Sequence, residues 1–194
     1  INLMNKKYEI IAMGTRNAQG LFYDELNKII ISTEHGPKGG DEINIISYLN
    51  LSASKITNYG WAISSYGEHY LKEHYRQEGW LKEIHDPYIK YPLYKSHKLY
   101  GFTEPIKYYT PSIGISEIIG INVKRRIYAH ASMADQSLYL FKLDEDNKIK
   151  QNIRIKVGER IRDMMKYKDK IILFLESTAS IGIIDINKIY TLID

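Results

Sequence analysis

The apolar residues of this chain come in short runs, mostly of five to eight residues, each closed by polar turn residues. Strand candidates are residues 7–12 (KYEIIA), Ile29–Ile31 leading into Ser32, Ile43–Tyr48, Asn58–Ser65 and Ile113–Ile119. Arg126–Met133, Ser137–Leu143 and Ile149–Ile155 follow, then Ile161–Tyr167, Ile171–Glu176, Ser180–Asp185 and Lys188–Leu192. Runs this short, at this spacing, predict an all-β sandwich, barrel or propeller. The 17 Tyr and the abundant Ile favour strand as well. No run reaches the ~18 apolar residues of a membrane-crossing helix, so no membrane span is expected.

A repeat chooses among the three. Residues 111–157 hold four of these runs and residues 160–194 four more, and Ile115 to Ile161 is a step of 46. Four strands in roughly 40–50 residues is one blade of a β-propeller. Residues 16–66 read as a third blade, and residues 1–12 as the outer strand of another. The expectation is an all-β β-propeller domain over residues 1–194, with about three blades in this chain. Rings need about four to eight blades. Three blades and a strand therefore predict a part of something larger, or a homodimer that closes the ring.

Residues 67–105 break the pattern and read as an insertion. Tyr70, Leu71, Tyr75, Trp80, Leu81 and Ile84 could form one loose helical face there, weakened by Gly79.

Composition excludes several functions. Charge is 27 basic minus 23 acidic, or +4, with both signs interspersed, so no nucleic-acid groove is indicated. The absence of Cys excludes disulfides, thiolate metal sites and Cys nucleophiles. The six histidines show no zinc spacing, and no G-x-S-x-G elbow, dinucleotide fingerprint or Walker A loop is present. No signal peptide is visible, and a chain opening at Ile1 suggests a processed or truncated product.

Five places can carry chemistry. Arg16, Asn17 and Gln19 offer a guanidinium fork and amides before a strand, or a polar turn. Residues 32–42 (STEHGPKGGDE) form a Gly- and Pro-rich loop with three carboxylates, oxygens of the kind that a hard cation such as Ca²⁺ requires. The same loop also reads as a plain surface turn. Asn58-Tyr59-Gly60-Trp61 reads first as packing. Arg160 and Arg162 share one face of a strand, where they need an anion, or else Glu159 and Asp163, as partners. Lys124-Arg125-Arg126 reads as a solvated turn.

In order, the segments RNAQGL, STEHGPKGGDEINII, NYGWAISSYG, EPIKYYTPSIGISEI and ERIRD resemble the C-terminal half of the soluble quinoprotein glucose/sorbosone dehydrogenases, the PQQ-dependent aldose sugar dehydrogenases. The resemblance covers most of the chain outside residues 67–100. It implies a six-bladed propeller that binds pyrroloquinoline quinone (PQQ) and Ca²⁺ and oxidises an aldose sugar substrate. It also implies a missing N-terminal propeller half and a periplasmic or secreted location. Arg16 and Asn17 match the PQQ-contacting pair, with Gln19 beside them, and Arg160 and Arg162 resemble the pair near the cofactor's carboxylates. Gly36 and Pro37 match the carbonyls that hold the PQQ-associated calcium. Glu42 and Tyr59 match ligands of a second, structural calcium.

Those residue types suit that chemistry. Clustered guanidinium groups bind a tricarboxylate and stabilise charge that develops on a quinone, and calcium polarises its carbonyl. Two departures stand against the resemblance. The family's catalytic His lies far upstream of the Arg-Asn pair, whereas only 15 residues precede Arg16 and none is His. A family Lys is expected around Ser132–Ala134, where the chain has Ser132, Met133 and Ala134. The expectation is a fragment without its catalytic base, which alone does not turn over sugar. The alternative is a non-catalytic, calcium-binding propeller module.

Overall fold

The computed structural model describes Met4 and residues 8–47, 56–68 and 93–193. Three antiparallel sheets follow one another along the chain. The first contains β2 (Ala18–Asp24), β3 (Ile29–Glu34), β4 (Asp41–Ser47) and β6 (Lys107–Tyr109), in that order. The second contains β7 (Ile115–Asn122), β8 (Ile127–Ser132), β9 (Ser137–Leu143) and β10 (Ile149–Lys156). The third contains β11 (Ile161–Tyr167), β12 (Lys170–Leu175) and β13 (Ser180–Asp185). β1 (Ala12–Met13) pairs in parallel with β5 (Thr57–Asn58) in a small separate ribbon. The sheets are propeller blades: each first strand packs along the first strand of the next, β2 on β7 and β7 on β11.

Sequence alternation drives this stacking. In the first blade Phe22, Ile29, Ile31 and Ile43 face the second blade and pack on Ile115, Ile118, Tyr128 and Phe141. Ile119, Ile121, Ala129 and Leu140 of the second blade pack in turn on Ile161, Met164, Ile171 and Leu173 of the third. Burying side chains of this size contributes about 1.5–3 kcal/mol each. Polar stitches fix the register. The Thr33 hydroxyl donates to the Ser116 carbonyl (2.6 Å), and the Ser116 hydroxyl donates to the Ile161 carbonyl (2.7 Å).

Three expectations are corrected. Lys188–Leu192 is not a strand; Ile186–Ile193 forms helix α1. Ile186, Ile189 and Ile193 recur at helical spacing and are all buried against the second and third blades. The Asp185 carboxylate accepts from the Asn187 amide (2.8 Å) at the start of this helix. Asn58–Ser65 is not the fourth strand of the first blade either. At Gly60 the backbone turns with φ of 92°, and the Ile63 and Ser64 amides fold back onto the Gly60 carbonyl. The fourth strand is β6, on the far side of the insertion. Among the described residues of the run over 7–12, only Ala12 lies in a strand, β1.

The insertion's helical face (Tyr70, Leu71, Tyr75, Trp80, Leu81, Ile84) lies outside the described residues. The chain on either side of that face returns to one place, where the Ser65 amide donates to the Tyr94 carbonyl (2.9 Å) and the Tyr94 amide donates to the Ile63 carbonyl (3.1 Å). The outward face of the third blade exposes Met165, Phe174, Ile181 and Ile183.

Candidate functional site

Antiparallel pairing brings six segments to one end of the blades: the leads into β2, β7 and β11, and the hairpins β3–β4, β8–β9 and β12–β13. The first strand of each blade carries a register irregularity near this end. Here an open cleft of about 500 Å³ is lined by Arg16, Asn17, His35, Gly36, Pro37 and Lys38 from the first blade, and by Ser112, Gly114 and Ala134 from the second.

Arg16 organises its near wall. Its Nη1 donates to the carbonyls of His35 (3.1 Å) and Gly36 (2.9 Å). Its guanidinium lies 5.2 Å from the centre of the Trp61 ring, a cation–π distance. The His35 amide donates to the Asn17 carbonyl (2.9 Å), and Gln19 Nε2 donates to Asn17 Oδ1 (3.0 Å). Arg16, Asn17, Gln19, Gly36 and Pro37, marked separately in the sequence, thus lie together, with Trp61 behind them. The loop closes on itself at Gly36: a Cβ there would lie 2.2 Å from the Gly39 and Gly40 carbonyl oxygens. Asp41, buried, anchors the loop to the second blade. Its carboxylate accepts from the amides of Gly36 (3.2 Å), Ile113 (3.1 Å) and Ile115 (3.0 Å), and from the Ser112 hydroxyl.

Arg160 and Arg162 do share a face, but their partner is Glu176, not Glu159 and Asp163. Arg160 Nε lies 3.4 Å and Arg162 Nη2 3.1 Å from Glu176 Oε2. The ladder explains this, because the Glu176 amide donates to the Arg160 carbonyl and so sets Glu176 opposite. Arg160 Nη2 reaches Met133 Sδ (3.9 Å), next to Ala134 on the cleft wall, but neither Arg160 nor Arg162 is among the cleft-lining residues. Where a Lys is expected, Met133 is buried and Ala134 lines the cleft. Lys38, which the sequence reading did not single out, lines it from the first blade instead.

Glu42 and Tyr59 lie with Glu34, Ser64 and His97 around a small buried cavity of about 10 Å³, room for roughly one water-sized atom, which Arg16, His35 and Gly36 also line, with Asn44 buried beside it. Asn44 Nδ2 donates to Glu34 Oε1 (2.9 Å) and Glu42 Oε2 (3.3 Å). The Arg16 amide donates to Glu34. Burial first, and then the Glu42 charge, push the Glu34 carboxyl up to about 7. His97 Nδ1 lies 2.8 Å from the Tyr59 carbonyl and 2.9 Å from Ser64 Oγ, and Nε2 lies 3.3 Å from Glu42 Oε1. Burial disfavours the charged ring, but the bond and charge of Glu42 outweigh it, so the His97 pKa is raised.

Ser64, His97 and Glu42 resemble a hydrolytic triad in composition only. A carbonyl cannot donate, so Nδ1 carries the hydrogen that it gives to Tyr59 and cannot take one from Ser64. His97 is the residue that sequence reasoning missed. Among the described residues no group of three or more His, Asp or Glu is arranged to hold a metal.

His130 is a packing residue. It is fully buried, its Nε2 lies 2.8 Å from the Tyr109 hydroxyl, and its ring stacks on Tyr139. His69, His74 and His85 lie outside the described residues. No helix among the described residues is long and apolar enough to cross a membrane.

Comparison with known proteins agrees with this architecture. Aldose sugar dehydrogenase YliI of Escherichia coli (strain K12) is 27% identical over 180 residues, which is 89% of this chain and 42% of that protein. A crystal structure of glucose dehydrogenase superposes with a TM-score of 0.67 at 25% identity, over 94% of this chain and 48% of that one. The PQQ-bound form of aldose sugar dehydrogenase from Streptomyces coelicolor shares the fold, with a TM-score of 0.56 at 18% identity, over 87% of this chain and 40% of that one. The chain spans less than half the length of the relatives it matches. The sequence pattern described as Glucose / Sorbosone dehydrogenase matches residues 1–184, and the chain belongs to that family.

Proposed function

We propose that this chain forms part of a PQQ- and calcium-dependent centre for aldose oxidation, and that it supplies the wall that holds the anionic cofactor. The observation that carries the reading is the Arg16 guanidinium, braced by the His35 and Gly36 carbonyls and Trp61 at the edge of an open cleft. The donor set fits. Arg16 and Lys38 supply cations to a polycarboxylate, and Asn17 supplies an amide. The Gly36 carbonyl keeps a second lone pair beside the one that faces Arg16, and with the Pro37 carbonyl it can serve a hard cation. When bound, PQQ supplies the two-electron acceptor and calcium the Lewis acid.

The residues of this chain bind and orient. Arg16, stacked and doubly bonded, presents its charge in one direction. Asp41 holds the carbonyl loop against the second blade. Arg160, shared with Glu176 and resting on Met133, lends its charge from the far edge, and Arg162 acts through the same carboxylate. The base that takes the sugar's hydroxyl proton is assigned to a residue outside the described ones, since His97 and His130 are committed to the fold and His35 sits within the carbonyl loop itself. The outward apolar face of the third blade is assigned to an adjoining blade, from a longer polypeptide or a second copy. A periplasmic or secreted site of action suits the family resemblance.

The test is PQQ titration of the intact protein with and without calcium, followed by dye-linked aldose oxidation. Binding that needs calcium and falls at least ~10-fold in Arg16→Ala is expected, since a charge-assisted bond is worth about 1.5–3 kcal/mol. An intact protein that binds calcium but no PQQ is instead a non-catalytic propeller module, a reading that Met133 and Ala134 favour.

A further inference from the structure

We propose that Lys38 fixes which way an anionic cofactor lies in the open cleft, an inference that rests on the reading of that cleft as a cofactor site. Lys38 and Arg16 hold the carboxylates against the first blade. The second-blade wall is left to the uncharged part of the ligand.

Charge in the cleft is one-sided. Among the described residues that line it, both cations, Arg16 and Lys38, come from the first blade. The second blade contributes Pro111, Ser112, Gly114 and Ala134, none of them charged. The acid among the lining residues, Asp41, is buried, and its two oxygens face the Gly36, Ile113 and Ile115 amides and the Ser112 hydroxyl. Asp135 follows Ala134 in the chain, but Arg154 takes both of its oxygens (2.7 Å each) and the Tyr139 hydroxyl donates to one of them (2.7 Å). Arg160 and Arg162 share Glu176 and stand outside the lining. Two positive charges thus face a neutral wall.

The main chain holds Lys38 at its place on the rim. Its amide donates to the Glu68 carbonyl (2.9 Å), and its carbonyl accepts from the Glu68 amide (2.9 Å). Pro37 precedes it, and Gly39 follows at a φ of 87°. The opposite wall is close-packed: a Cβ on Gly114 would lie 2.9 Å from the Ala134 nitrogen and 3.1 Å from the Ala134 Cβ. A flat, neutral ring suits such a surface. A carboxylate placed there would lose water and gain no cation. Ala134 itself is exposed, so a longer side chain at that position meets solvent rather than core.

The test is calorimetric titration of the intact protein with PQQ in saturating calcium. Lys38→Met is expected to weaken binding about 3–5-fold, the size of one ion pair in an open site, and the loss should shrink in 0.5 M salt. Lys38→Arg, which keeps the charge, should bind as the wild type does. Moving the charge across the cleft, in the double variant Lys38→Met with Ala134→Lys, should leave the affinity below that of the wild type. Both positions are exposed, so the variants should keep the wild-type urea midpoint. A Lys38→Met protein that binds PQQ as the wild type does overturns the proposal. So does a double variant that recovers full affinity, because charge on either wall would then suffice. If the wild type binds no PQQ, the reading of the cleft as a quinone site fails, and citrate, a tricarboxylate without a quinone, decides instead in a titration without calcium. Weaker citrate binding by Lys38→Met then supports the proposal; no citrate binding, or binding indifferent to Lys38, overturns it.

Discussion

The hydroxyl of Thr33 donates to the carbonyl of Ser116 across the seam between the first and second blades, 2.6 Å apart and wholly buried. The same hydroxyl accepts from the Gly20 amide (2.9 Å), so one side chain closes two backbone groups on two blades. Thr33→Val keeps the shape and leaves both groups unsatisfied. A loss of about 1–3 kcal/mol in unfolding free energy is expected, read from the urea midpoint at unchanged slope.

Asp41 carries a heavier load, with three amides and a hydroxyl on one buried carboxylate. In Asp41→Asn an amide nitrogen must face some of those donors. Stability is expected to fall by about 3 kcal/mol. The hairpin from His35 to Gly40 should loosen with it, so PQQ and calcium should both bind more weakly. A thermal melt and a cofactor titration on the same sample check this; an unchanged melt would show that the carboxylate is not the tie.

His130 makes stability depend on acidity. Burial holds its ring neutral, with a pKa lowered to about 3, whereas an unfolded histidine titrates near 6.5. Between those values the unfolded chain binds the extra proton and the folded chain does not. The contribution of His130 is therefore complete above about pH 6.5 and is lost as pH falls toward 3, by about 1.4 kcal/mol per unit. His130→Phe should flatten that part of the curve, as measured by urea unfolding at a series of pH values.

The outward face of the third blade exposes Met165, Phe174, Ile181 and Ile183 as contiguous apolar surface. Replacing Ile181 and Ile183 together with Lys should raise the solubility of the isolated chain and reduce its self-association in sedimentation, with little change in the unfolding midpoint. A midpoint that drops sharply would mean that the two side chains are packed in solution.

The blades were legible where a short apolar run is closed on both sides by polar turn residues. Ser137–Leu143, Ile161–Tyr167 and Ser180–Asp185 are strands with the bounds their patterns predict. Lys188–Leu192 misled because Tyr190 and Leu192 fit a two-residue period, and the helical spacing shows only when Ile186 and Ile193 are taken with Ile189. Asn58–Ser65 misled because its aromatic and apolar residues serve a turn at Gly60. Arg16, Asn17 and Gly36 could be marked in advance through the ordered motifs that carry the family resemblance; as residue types alone they read equally as a polar turn and a surface loop. His97 could not. It reaches Glu42 only after the chain has travelled through the insertion, and nothing in its neighbours' identities reveals that contact. The partner of Arg160 and Arg162 was misplaced for a related reason: adjacent acids in sequence are not adjacent acids across a ladder.

The cleft's near wall is built largely from main chain. The oxygens that face Arg16 are the His35 and Gly36 carbonyls, and the bond that pins the hairpin to Asn17 runs from one backbone to another. Such groups are present whatever side chain stands at the position. Divergence at this wall is therefore governed less by which residues occupy it than by how many there are. A substitution at Lys38 removes a cation and leaves the carbonyls in place, whereas inserting or deleting a single residue between Glu34 and Asp41 moves every one of them at once.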